Sequence, residues 1–167
     1  MSTDATRTEQ PARTRFEPPI GAESGPFWEA TREGRLLVQW CTACDRGIFF
    51  PRTLWPYCGA AGPLPWREAS GRGSIHAAVV EHRPDLAGAA FARGEPFCIA
   101  LVDLEEGVRM MTNVVGCPPD DVCIGMAVTV TWERLSDGRQ LALFRPAGTP
   151  LAEEAAEKGA EEDGATT

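Results

Sequence analysis

The chain has 167 residues, 43% of them hydrophobic, which suits one ordinary domain or a small domain with a further module attached. No apolar run is long enough for a transmembrane helix, and the first 19 residues lack the apolar centre of a secretory signal. The net charge is −8, of which residues 148–167 account for −5, so no basic face for nucleic acid is expected. We therefore expect a cytoplasmic protein whose six cysteines are thiols or metal thiolates.

Both ends of the chain are predicted to be flexible. Residues 1–22 show no hydrophobic periodicity and contain several prolines, which favours an arm without regular structure. Residues 148–167 carry mostly like charges and have little to bury, which favours an acidic flexible tail. The ordered part of the chain is therefore expected between residues 23 and 147.

A short amphipathic helix is predicted within residues 24–34. Pro26 suits the first helical turn, because its missing N–H would have no partner there. Phe27, Ala30 and Thr31 lie at helical spacing and share one face. A helix of about two turns is too short to be stable alone, so this face must dock on another part of the chain.

The helix leads into a predicted zinc ribbon, and the two together make up residues 23–68. Cys41 and Cys44 form a C-x-x-C turn, and Cys58 belongs to a second turn in which Trp55 stands where a fourth cysteine is expected. Two such turns present thiolates in the tetrahedral arrangement that zinc requires, so these three cysteines are the predicted metal ligands. The strands of the ribbon are predicted at 36–40, 48–51 and 64–69.

Because Trp55 stands where a fourth cysteine is expected, two hypotheses about the ribbon remain open. In the first, structural zinc is bound by three thiolates and completed by a further ligand, for which the candidates are Asp45, His76, His82 and a water molecule. In the second, the ribbon folds without metal, and Trp55 packs across it on a set of apolar side chains, namely Leu54, Phe49 and Trp40.

Residues 69–147 are predicted to form a five-stranded OB-fold barrel. The strands are predicted at 73–83, 96–104, 108–115, 127–134 and 140–144. The second strand places Phe97, Ile99 and Leu101 on one face. A tight turn follows it at residues 105–107, and a short helical turn separates the third strand from the fourth. The fold class is thus mainly β: an N-terminal helix, a rubredoxin-like ribbon and an OB barrel.

Several short segments between residues 26 and 147 form a set that is specific in its order. They are Phe27-Trp28-Glu29, Gly34-Arg35-Leu36, Gln39 with Cys41 and Cys44, Phe50-Pro51-Arg52, Ser70-Gly71-Arg72-Gly73, His82-Arg83-Pro84, Val115-Gly116-Cys117, Ile124-Gly125-Met126 and Leu143-Phe144-Arg145-Pro146. In these segments the sequence resembles a family of zinc-ribbon and OB-fold proteins that is described as acyl-CoA-associated and catalogued as a domain of unknown function. Family members usually carry Cys-Pro-x-Cys at the second turn, where this chain has Trp55-Pro56-Tyr57-Cys58.

The resemblance implies an accessory subunit without catalytic residues of its own. It implies a partner of the thiolase superfamily (a lipid-transfer-protein-like enzyme) that acts on acyl-CoA, first of all a steroid side-chain aldolase that cleaves a carbon–carbon bond in a retro-aldol reaction. A partner that is an acyl-CoA thiolase or acyltransferase is the alternative. The barrel would dock the partner in a hetero-oligomer, with acyl-CoA passing or binding at the interface.

The other residues that could form a catalytic or metal site, two histidines and three cysteines, have simpler structural explanations. His76 and His82 are predicted on one strand, six residues apart, as exposed positions that point the same way. Cys98 is predicted to be buried, and Cys117 and Cys123 lack metal-ligand spacing. A nucleic-acid-binding role follows only from the OB fold, and the charge argues against it.

The loop 84–95 is long for this barrel, and its Leu86 and Phe91, flanked by Arg83 and Arg93, are candidates for partner contact.

Overall fold

The computed structural model describes residues 17–62, 64–82 and 96–148. Within them lie one helix, eight strands and a 3₁₀ turn. In chain order these are α1 (Gly25–Thr31), β1 (Leu37–Cys41), β2 (Arg46–Ile48), β3 (Trp66–Glu68), β4 (Arg72–Glu81), β5 (Phe97–Leu104), β6 (Arg109–Val114), the 3₁₀ turn (Pro119–Asp121), β7 (Ala127–Arg134) and β8 (Gln140–Pro146).

Helix α1 has the buried face that the sequence predicts. Phe27, Ala30 and Thr31 are its buried residues, and Pro26 stands in the first turn. The helix lies within the predicted span, and residues 32–34 after it form a hydrogen-bonded turn that closes at Gly34, whose φ is +68°. Such an end is typical for glycine, which adopts a left-handed conformation without steric cost.

The ribbon is a three-stranded antiparallel sheet in the order β2-β1-β3. Gln39 at its centre pairs with Ile48 on one side and with Trp66 on the other. The predicted strand 48–51 is wrong, since the structure places β2 at Arg46–Ile48. Beyond Ile48 the ring of Phe49 stacks on the ring of Phe50 and packs against Phe27, so this segment turns towards the helix and leaves the sheet.

The second sheet closes into a barrel with the order β4-β5-β6-β8-β7. All of its pairs are antiparallel except β6 with β8, which meet in parallel at Val114 and Phe144. The 3₁₀ turn lies between β6 and β7. The prediction of a mainly β chain with a ribbon and a five-stranded barrel is therefore confirmed.

The side chains that face the barrel interior differ from those that the sequence pattern emphasises. On β5 the buried residues are Cys98, Ala100, Val102 and Leu104. The residues between them, which include Phe97, Ile99 and Leu101, are only half-buried on the outer face. Both faces of this strand are apolar, so the alternation of the sequence alone does not show which face lies inside.

One apolar core joins the lead-in helix, the ribbon and the barrel. Phe27 of α1, and Leu36 and Val38 of the β1 segment, lie in the same buried cluster as Val102 and Phe144 of the barrel. The cysteine end of the ribbon has a second, small cluster of its own. The ribbon and the barrel are therefore packed as one body along most of their contact.

Polar contacts reinforce this junction. The hydroxyl of Thr31 accepts a hydrogen bond from the backbone N–H of Gln140 at 3.2 Å, and the amide of Gln140 donates to the carbonyl of Thr31 at 2.9 Å. Arg139, which is 5% exposed, donates to the carboxylate of Asp137 at 2.6 Å and to the carbonyl of Pro18 at 2.8 Å. The described end of the predicted arm therefore lies against the β7–β8 turn.

None of the helices among the described residues is long and apolar enough to cross a membrane.

Candidate functional site

The three predicted metal ligands converge at the end of the ribbon. Cys41 is the last residue of β1, Cys44 lies in the turn before β2, and Cys58 lies in the second turn. Their Sγ atoms all lie within 4.8 Å of one another, and those of Cys41 and Cys58 are 3.6 Å apart. The first turn reverses through Asp45, whose φ of +48° is tolerated best by residues such as Asp and Asn.

This geometry fits a tetrahedral zinc ion. Two thiolates bound at about 2.3 Å in a tetrahedron lie roughly 3.8 Å apart, close to the 3.6 Å between Cys41 and Cys58. Burial acts to raise the pKa of Cys41, but hydrogen bonds from the backbone of Cys44 and Ala43 outweigh it and lower that pKa overall. The pKa of Cys44 is raised, chiefly by burial. The group consists of sulfur donors alone, which favours a soft or borderline ion such as zinc.

Trp55 occupies the interior of this ribbon end. Its side chain is 1% exposed, its Nε1–H donates to the Sγ of Cys44 at 3.0 Å, and its ring lies edge-on to Tyr57. It packs with Cys41 and Ile48 in the small cluster of the ribbon. An indole has a donor and no free lone pair, so Trp55 can support a thiolate but cannot bind the metal.

Trp55 is buried in the ribbon, as the metal-free interpretation predicts, but the neighbours predicted for it are wrong. Leu54 is 60% exposed, while Phe49 and Trp40 pack against the larger core that the ribbon shares with the barrel. Leu54 pairs with Ala61 in an isolated bridge. Because neighbouring side chains of an extended segment point to opposite sides, Leu54 faces outwards where Trp55 faces in.

No candidate fourth ligand from the sequence belongs to the sulfur group in the part of the chain that the structure describes. The carboxylate of Asp45 accepts a hydrogen bond from the indole of Trp40 at 2.9 Å and lies 3.7 Å from Arg67. His76 lies on the barrel, on β4. A protein side chain therefore does not complete the three thiolates within the described residues.

The two histidines have carboxylate partners. His76 Nδ1 lies 3.2 Å from Asp103, and His82 Nε2 lies 3.7 Å from Asp120. The prediction that both belong to one strand is wrong, because β4 ends at Glu81 and a register shift interrupts it around His76. A bulge of this kind re-aims side chains, so sequence spacing does not determine their common direction.

Asp103 is the centre of a polar network on the outer face of the barrel. Arg109 donates to its two carboxylate oxygens at 2.6 and 2.9 Å, and His76 lies beside the same group. The hydrogen bond from Arg109 lowers the pKa of Asp103. The Arg109–Asp103 ion pair is bidentate, but about two fifths of the Asp103 side chain is open to solvent. Because exposed ion pairs are screened by water, this one contributes little to the stability of the fold.

The other cysteines do not form a second sulfur site among the described residues. Cys98 is fully buried in β5, as predicted, and burial raises the pKa of its thiol. Cys117 is half-buried and its pKa is raised by burial as well. Cys123 is exposed. Buried thiols with a raised pKa are inert packing groups and poor nucleophiles.

An apolar groove that the sequence analysis missed lies where α1, the ribbon and the barrel meet. Its volume is about 350 Å³. Its lining residues are Pro18, Pro19, Ser24, Phe27, Trp28, Phe49, Phe50, Pro51, Met110, Met111, Leu141 and Ala142. Phe50 and Met111 are each 59% exposed at its rim. The only signal in the sequence is a set of adjacent aromatic and methionine pairs on separate segments, which no single periodicity connects.

The loop predicted at 84–95 as a partner contact is outside the part of the chain that the structure describes. Arg83, Leu86, Phe91 and Arg93 lie outside the described residues.

Comparisons with known proteins identify both parts of the chain. Residues 28–63 match the family model "ChsH2, rubredoxin-like zinc ribbon domain", and residues 66–133 match "ChsH2, C-terminal OB-fold domain". Together these matches contain the three ribbon cysteines, Trp55 and most of the barrel. The zinc-ribbon family and the sulfur cluster agree on the same site for a structural zinc.

The similar proteins fall into two groups. The chain is 37% identical over 144 residues to a "Probable enoyl-CoA hydratase alpha subunit" of Thermomonospora curvata, a match that covers 84% of this chain and 43% of that protein. It is 32% identical over 111 residues to a "DUF35 domain-containing scaffold protein" of Methanocaldococcus jannaschii, which covers 66% of this chain and 77% of that protein. The chain thus spans less than half the length of the hydratase subunits that it matches.

A solved structure matches over its whole length. The chain superposes on one described as "Ltp2-ChsH2(DUF35) aldolase" with a TM-score of 0.68 and 36% identity, covering 78% of this chain and 99% of that chain.

Proposed function

This chain belongs to the DUF35 family of ChsH2-type zinc-ribbon and OB-fold proteins, and on that premise we propose that it is the non-catalytic accessory subunit of a thiolase-superfamily enzyme that acts on acyl-CoA. The first specific candidate for the complex is an aldolase that shortens a steroid side chain by retro-aldol cleavage. In this proposal the partner carries out the chemistry, and this chain supplies an interface and part of the path for the acyl group.

The observation that carries the proposal is the match to the aldolase structure. It extends over 99% of that chain, so the two proteins share the ribbon, the barrel and their arrangement. The scaffold description of the archaeal relatives supports the same kind of role.

The chemistry of the described surface also supports an accessory role. The sulfur group has the composition of a structural metal site. The polar network at Asp103 lies on the exposed outer face of the barrel and is internally paired. The groove is lined almost entirely by apolar side-chain atoms, with the hydroxyl of Ser24 and the indole N–H of Trp28 as its polar side-chain groups. Such a lining can hold an apolar chain or a partner side chain, but it offers no acid, base or nucleophile pair.

The groove is the part of the surface that we assign to the partner interface. Phe50 and Met111 at its rim are large, apolar and more than half exposed. Large apolar side chains beside a concave surface are typical anchors of protein interfaces. The acyl part of an acyl-CoA bound between the two subunits would find the same apolar lining.

Co-purification tests the proposal directly. The tagged full chain is co-expressed with thiolase-superfamily proteins from its own organism, and a stable complex with one of them is expected. Phe50→Asp should weaken that complex by at least about tenfold in Kd, because a charge replaces an interface anchor. Ile124→Asp, on an apolar residue that is 76% exposed outside the groove, is the matched control and should leave the affinity unchanged.

The reaction of the purified complex separates the candidates. Release of an aldehyde or ketone from a β-hydroxyacyl-CoA without free CoA supports the aldolase, whereas cleavage of a β-ketoacyl-CoA into two acyl-CoA products that requires free CoA supports the thiolase alternative. If the chain forms no stable complex with any of the co-expressed thiolase-superfamily proteins, the proposal is overturned.

A hydratase complex is the second candidate, and the relatives called hydratase alpha subunits favour it. Because this chain spans 43% and 36% of those two relatives, any further part of such an enzyme would have to come from other polypeptide segments. Loss of enoyl-CoA absorbance on water addition by a co-purified complex would support this candidate over the aldolase.

A further inference from the structure

We propose that the ribbon binds zinc through only three protein ligands, Cys41, Cys44 and Cys58, that Trp55 supports Cys44 through its N–H, and that the fourth ligand is a small donor from solvent which a thiol can replace. This inference goes beyond the proposed function and does not depend on it.

The three sulfur atoms lie close together at one end of the ribbon. All three lie within 4.8 Å of one another, and the 3.6 Å between Cys41 and Cys58 is close to the edge of a zinc–sulfur tetrahedron. The fold itself therefore brings three sulfur atoms close enough together to bind one metal ion.

Trp55 can support a thiolate ligand but cannot itself bind the metal. Its ring is held inside the ribbon with 1% exposure, and its Nε1–H points at Cys44 Sγ from 3.0 Å. A donor of this kind stabilises a thiolate and orients it, as outer-shell partners of metal ligands commonly do. It cannot replace the cysteine that the family pattern has at this position, because the indole nitrogen offers no lone pair.

The fourth ligand comes from outside the group of three cysteines. Asp45 is engaged by Trp40 and Arg67, and within the described ranges the sulfur group includes no His, Asp or Glu. Cys41 is buried, but Cys58 is exposed, so solvent reaches one side of the group. Zinc completes a coordination number of four, so the remaining ligand has to come from that side.

A thiol is the preferred donor for this position. A centre that already has three thiolates is soft, and a fourth sulfur suits it better than oxygen does. The probe is 2-mercaptoethanol, and its oxygen analogue ethylene glycol is the matched control because it has the same size and lacks the sulfur.

Zinc-edge X-ray absorption of the full chain counts the sulfur atoms. Three sulfurs and one lighter atom are expected at rest, and four sulfurs after 2-mercaptoethanol is added, with no change after ethylene glycol. In the cobalt-substituted protein the ligand-field bands should shift when 2-mercaptoethanol is added and should stay unchanged when ethylene glycol is added. The proposal would be overturned if the protein bound no metal or if the metal had four sulfur ligands before any thiol was added. It would also be overturned if the spectrum did not change on addition of 2-mercaptoethanol.

Two variants test the role assigned to Trp55. Trp55→Cys should give four protein sulfurs and abolish the response to 2-mercaptoethanol. Trp55→Phe keeps a ring in the same place but has no donor; it should keep three sulfurs and the thiol response, and lose about 10- to 100-fold in metal affinity.

The cobalt spectrum of Trp55→Phe gives a readout that altered packing alone would not produce. Without the N–H, the Cys44 thiolate becomes a better electron donor, so the sulfur-to-cobalt charge-transfer band should move to longer wavelength. An unmoved band would overturn the role of Trp55. Because this variant retains a large ring in the ribbon interior, it decides the question even if Trp55→Cys fails to fold.

Discussion

Replacing Gly47 by alanine tests whether the ribbon and the barrel behave as one body. Gly47 lies in β2 of the ribbon, and a Cβ placed there would lie 2.4 Å from Val108 Cγ2 of the barrel and 2.9 Å from the ring of Trp40. Carbon atoms pack best at about 3.5–4.0 Å, so the neighbouring atoms would have to move by roughly 1 Å or more.

The magnitude follows from how little these neighbours can move. Val108 is 2% exposed, and its branched side chain has few alternative rotamers. Overpacking of this kind costs about 1–3 kcal/mol. At about 2 kcal/mol, a folded unit of roughly 120 residues would lose about 8 °C in Tm.

Denaturant unfolding of the unaltered chain and of four variants, Gly47→Ala, Gly25→Ala, Val108→Ala and the double variant described below, provides the assay. Gly47→Ala should unfold at lower denaturant in a single transition, whereas Gly25→Ala, where a Cβ meets nothing within 4 Å, should be neutral or stabilising by up to about 1 kcal/mol. The double variant Gly47→Ala with Val108→Ala should be less destabilised than the sum of its singles, because the new methyl group fills the space left by valine. A neutral Gly47→Ala, or additivity within about 0.5 kcal/mol, would refute the reasoning.

Three further predictions use the same unfolding assay. Thr31→Val should destabilise by about 1–3 kcal/mol because it leaves the part-buried N–H of Gln140 without its acceptor, while Thr31→Ser, which keeps the hydroxyl, should lose less. Gly73→Ala should destabilise by about 1–3 kcal/mol or more, since its Cβ would lie 2.5 Å from the carbonyl oxygen of Asp103, a backbone atom that cannot swing away; a neutral result would contradict the close approach. The pKa of Asp103 is lowered by Arg109, so this carboxylate stabilises the fold above its unfolded pKa of about 3.9, and that contribution is lost as the pH falls below it. Asp103→Asn should therefore flatten the acid side of the stability profile, by less than about 1 kcal/mol because the pair is exposed, and an unchanged slope would argue against the pairing.

The fold was predictable because its signals are local. Turn residues, short apolar strands and the C-x-x-C turn each fix a few neighbouring residues, and their order is that of a ribbon followed by a barrel. The inward face of β5 was not predictable, because Phe97 and Ile99 are as apolar as the buried Val102 and Leu104. Only the closure of the barrel decides which set lies inside.

The candidate site was predictable in its ligands and not in its surroundings. Spacing alone indicates Cys41, Cys44 and Cys58, since the two turns present their side chains to the same end of the ribbon. The position of Trp55 depends on the bridge that turns Leu54 outwards, a contact between segments that no local pattern encodes. The groove is assembled from separate parts of the chain, so it becomes visible only when the fold is known.

The common core of ribbon and barrel bears on how far the ribbon depends on its metal for folding. A free-standing zinc finger depends on its metal for folding and is unfolded when a ligand is lost. Here Leu36 and Val38 are held in the core of the barrel, so the ribbon strands keep their places even when the coordination shell changes. The second turn can then carry an indole where a pair of C-x-x-C turns would have a fourth thiolate, because the ribbon strands do not depend on the coordination shell alone.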